Sequence, residues 1–98
     1  MELRHLEFFL RVSELGSINR AASTLSLSQP ALSRYIAALE HEMGTPLFSR
    51  TQGGVKLTDA GKLLHERVRP LLRQFQVLKE QVGEEAAGQV AVGLPPAW

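Results

Sequence analysis

Residues 17–36 read Ser-Ile-Asn-Arg-Ala-Ala-Ser-Thr-Leu-Ser-Leu-Ser-Gln-Pro-Ala-Leu-Ser-Arg-Tyr-Ile, a pattern of two short helices meeting at a tight corner. Ala21 and Ala22 fall where the first helix must approach the second, and only a small side chain lets two helix backbones come so near. Leu25 and Leu27 flank the corner, and Leu32, Tyr35 and Ile36 recur at helical spacing in the second helix. Ser28 is a good N-cap, and Pro30 suits a first turn, where a missing N–H costs nothing. The opposite face of the second helix carries Gln29, Pro30, Ser33 and Arg34. Gln29 and Arg34 can make bidentate hydrogen bonds to adenine and guanine edges respectively, so this helix is built like a major-groove probe.

Outward from that corner, the apolar positions Leu3, Leu6, Phe8, Phe9, Leu10, Val12 and Leu15 predict a helix with a broad buried stripe, ended by Gly16. The spacing then predicts a helix over 17–26, capped by Ser17, and a recognition helix over 28–43 that Gly44 closes and Pro46 keeps from resuming. Leu47–Arg50 and Val55–Leu57 are short β-prone runs joined by Thr51-Gln52-Gly53-Gly54, which reads as a hairpin, or wing. Thr58 and Asp59 open a long helix. The fold class is therefore mainly α: a winged helix-turn-helix of three helices plus a two-stranded wing, followed by a long linker or dimerisation helix. We divide the chain into a winged domain over 1–58, a linker helix over 59–87, and a piece over 88–98 that alternates like a strand and reads as the start of a further domain or a disordered tail.

The long helix carries a heptad seam. Leu64, Val68, Leu71, Phe75, Leu78 and Val82 follow an unbroken 4-3-4-3-4 spacing. A helix from 58 to 86 would be on the order of 40 Å long, too long for a domain of 57 residues to cover. The seam therefore predicts a homodimer; the alternative is an amphipathic helix lying along its own domain. Pro70 interrupts the seam, leaves the carbonyl of Glu66 without its helical donor, and predicts a bend. Arg67, Arg69 and Arg73 alternate with the seam and read as solvated residues or salt-bridge partners for Glu66, Glu80, Glu84 or Glu85.

Bulk composition adds little: 11 Lys and Arg against 10 Asp and Glu give a net charge of only +1. The distribution says more. No acid lies between Glu14 and Glu40, nor between Glu42 and Asp59, and Arg20, Arg34, Arg50 and Lys56 sit inside those two windows. A surface built from them is locally positive on a nearly neutral molecule. The chain has no cysteine, which removes disulfides and thiolate metal sites. No apolar run approaches the ~20 residues of a membrane span, and the N-terminus lacks a signal-peptide pattern, so the chain reads as soluble and cytoplasmic.

An enzyme needs a nucleophile, an acid/base pair or a metal. His5, His41 and His65 share no ligand spacing with one another and read as surface helical histidines, so no catalytic or metal residue is assigned. Tyr35 falls at an apolar position of the period and reads as packed, with stacking on the sugar-phosphate edge as its alternative. Phe48 reads as a plug under the wing rather than an intercalating wedge. The remaining rival is a winged-helix interaction or dimerisation module that does not read DNA sequence, though such a module has no need of Gln29 and Arg34 on one face.

Taken in order, Leu3-Arg4-His5-Leu6 with Phe8-Phe9, Gly16-Ser17-Ile18 with Ala21-Ala22, Leu27-Ser28-Gln29-Pro30-Ala31-Leu32-Ser33, Leu39-Glu40, Gly44, Leu47-Phe48 with Arg50, and Leu57-Thr58 with Ala60-Gly61 resemble the N-terminal part of a LysR-type transcriptional regulator. The resemblance covers residues 1 to about 87. It implies a winged helix-turn-helix whose linker helices pair antiparallel in a homodimer, with full-length members assembling to tetramers through an effector domain that binds a small coinducer; these 98 residues themselves would hold no cofactor. It further implies a bacterial activator or repressor binding double-stranded DNA at an interrupted dyad operator. By the same resemblance Gln29, Pro30, Ser33 and Arg34 enter the major groove, Arg50 belongs to the wing, and Ser17, Asn19, Arg20, Ser28 and Thr58 hold phosphates. Two departures stand out: the wing tip, Gln52-Gly53-Gly54, lacks the arginine or lysine many members carry, and Ser26 stands at the corner where helix-turn-helix proteins often have glycine.

Overall fold

A computed structural model describes the backbone of residues 1–92 and the side chains through residue 85. Helix α1 (Leu3–Leu15) buries Leu6, Phe9 and Val12 and stops at Gly16, whose left-handed backbone returns its N–H to the Val12 carbonyl at 2.8 Å. Ser17 caps α2 (Ile18–Thr24), its Oγ accepting the Arg20 N–H at 3.2 Å. Ala21 and Ala22 are buried, as a close helix crossing requires. The helix ends at Thr24 rather than 26 because the chain turns there: Leu25 N–H donates to the carbonyls of Ala21 and Ala22, and Leu27 N–H to Ala22. Ser26 makes the corner with φ +57°, the left-handed conformation that glycine takes without strain.

Helix α3 (Gln29–Met43) starts on the Ser28 cap, whose Oγ accepts the Ala31 N–H at 3.2 Å, with Pro30 in its first turn. It buries Leu32, Ile36 and Leu39 against α1 and α2 and closes at Gly44. The wing pairs β1 (Phe48–Thr51) with β2 (Gly54–Leu57) antiparallel in the register Phe48↔Leu57, Ser49↔Lys56, Arg50↔Val55 and Thr51↔Gly54. The first strand lies one residue later than alternation predicts, because Leu47 is drawn into the core instead (1% exposed).

Helix α4 runs from Asp59 to Val92, through Pro70 without a break. It therefore continues past Gly88, where alternation predicts a strand. A strand with no partner leaves its backbone groups unpaired, whereas a helix satisfies them internally. Residues 93–98 lie outside the described residues.

The seam on α4 divides. Val68 is 2% exposed in the chain's own core and Leu64 packs against that core, so neither belongs to a free dimerisation stripe as the heptad suggests. The winged domain covers one face of α4 as far as Leu72, which packs against its core. On the other side Leu71 is exposed, and further along Phe75, Leu78 and Val82 are exposed, joined by Val77.

Candidate nucleic-acid interface

The Ser28 cap and Pro30 fix where α3 begins, and the buried Leu32-Ile36-Leu39 stripe fixes which face points away from the core. That face carries Pro30 and Arg34, both exposed, with Gln29 and Ser33 half-buried beside them. Gln29 Nε2 donates to Ser33 Oγ at 2.9 Å, one turn along, so the two side chains act as a unit. This bond leaves Gln29 its carbonyl oxygen and one N–H for an outside partner.

The wing stands beside this face. A crevice of about 220 Å³ between them is lined by Ser17, Asn19, Gln29, Arg50, Thr51 and Gln52, among others. Asn19, Arg20 and Arg50 are exposed. Among the described residues none of Arg20, Arg34, Arg50 and Lys56 takes part in an ion pair, so all four charges are free for an external anion. The oxygens of Ser17 and Ser28 are used as caps, but each hydroxyl proton remains free to donate.

Thr58 is different. Its hydroxyl donates to the Pro46 carbonyl at 2.7 Å and accepts the Gly61 N–H at 3.0 Å, which commits its only proton to joining the wing to α4. The structure thus gives Thr58 a structural task as cap of α4 and tie to the wing.

Two histidines also depart from their surface reading. His5 and His65 are half-buried, and only His41 is exposed. His5 lies 4.9 Å from the Tyr35 ring, centroid to centroid, and 6.2 Å from Phe8. Tyr35 in turn packs 5.1 Å from Phe8, with the Arg4 guanidinium 5.8 Å from its ring. Tyr35 is therefore part of the α1–α3 packing. Phe48 packs against Phe9 at 5.2 Å, as a plug beneath the wing. Among the described residues no group of His, Cys, Asp and Glu could hold a metal ion, and no helix is long and apolar enough to cross a membrane.

What sequence reasoning missed is how the wing is held. Val55 N–H donates to the Gly16 carbonyl at 3.0 Å, and Gly54 packs so close that a Cβ there would lie 2.1 Å from that oxygen. On the other side, Glu40 Oε2 accepts the N–H groups of Leu47 at 2.6 Å and Phe48 at 3.2 Å. The glycine pair at the turn was a usable signal; Glu40 stands in the Leu39-Glu40 pair that carries part of the resemblance, but nothing in its spacing names its partners.

The chain matches, over residues 3–62, the family described as bacterial regulatory helix-turn-helix protein, lysR family. It is 43% identical over 99 residues to the nitrogen assimilation regulatory protein nac of Klebsiella aerogenes, covering 98% of this chain and 32% of that protein. It is 42% identical over 99 residues to the hydrogen peroxide-inducible genes activator of Pectobacterium carotovorum subsp. carotovorum, covering 98% and 33%. The chain thus spans about a third of the length of these curated relatives. Among solved structures, the BenM_DBD/catB site 1 DNA complex aligns with a TM-score of 0.84 at 37% identity over 88% of this chain and 97% of that one. The CbnR_DBD-DNA complex aligns with a TM-score of 0.75 at 34% identity over 92% and 99%.

Proposed function

This chain belongs to the lysR family of bacterial regulatory helix-turn-helix proteins, and from that premise we propose that it reads double-stranded DNA by sequence, placing α3 in the major groove with Gln29, Pro30, Ser33 and Arg34 toward the base edges. The observation that carries this reading is the shared crevice, in which Gln29 on the reading helix and Arg50 on the wing line one cleft free of acidic groups. Phosphates supply most of the affinity through Arg20, Arg50, Asn19 and the free hydroxyl protons of Ser17 and Ser28, and Gln29 and Arg34 supply most of the discrimination. The similar BenM_DBD and CbnR_DBD structures are DNA complexes, which supports the same reading.

The exposed Leu71, Phe75, Leu78 and Val82 stripe is the surface on which a second copy pairs. A dimer then sets two reading helices in successive grooves on one face of the duplex, as an interrupted dyad operator requires. A full-length regulator, cytoplasmic and without enzymatic activity, adds an effector domain that takes a small coinducer and assembles a tetramer.

The test is selection of binders from a random duplex library with the 98-residue chain at physiological salt. Enrichment of dyad-symmetric sequences with half-sites about one helical turn apart is expected. Salt-sensitive binding with no enriched sequence would refute sequence reading, and no binding at all would favour a winged-helix interaction module.

A further inference from the structure

We propose that Glu40 is a positioning residue for DNA binding: it fixes the wing to the reading helix so that Arg50 and the major-groove side chains engage one duplex together. The proposal rests on the DNA reading above. Glu40 lies two turns beyond Ser33 on α3, half-buried. Its Oε2 accepts both the Leu47 and the Phe48 N–H, while its own backbone carbonyl accepts the Thr45 N–H at 3.2 Å and the Gly44 N–H. One residue thus fastens both ends of the connection between α3 and β1.

The consequence for function follows from strand geometry. Phe48 opens β1, and Arg50 is two residues further on, so Phe48 and Arg50 share a face of the hairpin and move with the same piece of backbone. A carboxylate is well suited to this task, because charge-assisted bonds to two backbone N–H groups are roughly twice as strong as neutral ones. It is also the one acidic group lining the second crevice between α3 and the wing, about 140 Å³, together with Ser33, Ala37 and Arg50. Helix reading and wing clamping are thereby joined through one side chain that touches neither base nor phosphate.

The experiment is a double-variant cycle on the 98-residue chain with Glu40→Ala and Arg50→Ala, measured on a selected duplex and on random duplex. Each single substitution is expected to weaken binding about tenfold on both duplexes, the worth of one charge-assisted contact. The double variant is expected to fall no further than either single one, with base preference at every position unchanged. Hydrogen exchange of the Leu47 and Phe48 amides is expected to rise in Glu40→Ala, and Glu40→Gln, which keeps an acceptor oxygen, is expected to recover most of the affinity. Losses that multiply in the double variant would overturn the proposal, since a general weakening of the fold adds to Arg50→Ala without depending on it. An altered base preference would overturn it as well. Should Glu40→Ala fail to fold, Glu40→Gln replaces it in the cycle, and its smaller loss must vanish beside Arg50→Ala or the proposal fails. A wild-type chain that bound no duplex would overturn the DNA reading and this role with it, while leaving the exchange result to stand for the wing alone.

Discussion

Replacing Gly54 with alanine would set a methyl carbon 2.1 Å from the Gly16 carbonyl oxygen and 3.3 Å from its carbon, at a residue whose φ is +137°. Three costs combine. Alanine is unfavourable at positive φ by about 1–2 kcal/mol. The Val55 N–H to Gly16 carbonyl bond, 3.0 Å long, is lost as the backbones part, at about 1 kcal/mol. Forcing the wing off α1 disturbs packing around Val55 and Phe48 by a further 1–3 kcal/mol or so. Against these, alanine restricts the unfolded chain and returns about 0.4–1 kcal/mol. We expect Gly54→Ala to destabilise the chain by about 3 kcal/mol, a fall in Tm of roughly 15 °C for a domain of this size. The neighbouring Gly53 is the internal control: a Cβ there meets nothing within 4 Å, and Gly53→Ala should stay within about 0.5 kcal/mol of wild type. Urea unfolding of both variants, monitored by helical circular dichroism, decides the matter. Variants that unfold at the same midpoint would refute the docking of the wing on Gly16.

Arg34→Ala should cost about 1–3 kcal/mol on the preferred duplex and relax one base position, whereas Arg20→Ala should weaken all sequences alike and reduce the salt slope by about one; titration at several salt concentrations separates the two, and equal losses on specific and random DNA would make Arg34 a phosphate clamp. Leu71→Glu with Leu78→Glu should abolish the dimer in sedimentation and lower DNA affinity while leaving the fold intact, since both side chains are 55% exposed. Val68→Ala, by contrast, should destabilise the domain itself by about 1–3 kcal/mol, because Val68 is 2% exposed. Ser26→Gly should raise stability by up to about 1 kcal/mol by relieving the left-handed corner, measured by thermal unfolding; a loss of stability would mean the Ser26 side chain is needed there.

Local chemistry makes the corner and its helices legible in the sequence alone. Ser17 and Ser28 are caps whatever surrounds them, Gly16 and Gly44 end helices because they alone turn left-handed freely, and Ala21 and Ala22 announce a close crossing by their size. The reading face of α3 follows from periodicity, since burying Leu32, Ile36 and Leu39 leaves Pro30 and Arg34 outside. Local preference misleads where pairing or packing competes with it. The piece from Gly88 alternates as a strand does, yet residues through Val92 continue the helix.

The sequence by itself therefore determined the first three helices, the wing and the outward face of α3, because caps, breakers and periodicity act over a few residues. Only the tertiary structure decided how far the domain reaches along α4, taking Leu64 and Val68 from the seam and leaving the stripe from Leu71 onward uncovered. It also decided that Thr58 gives its proton to Pro46, that His5 lies under Tyr35, and that Glu40 holds the root of the wing. Each of these depends on a partner from another element, and the spacing of residues along one element carries no information about which partner folding will bring.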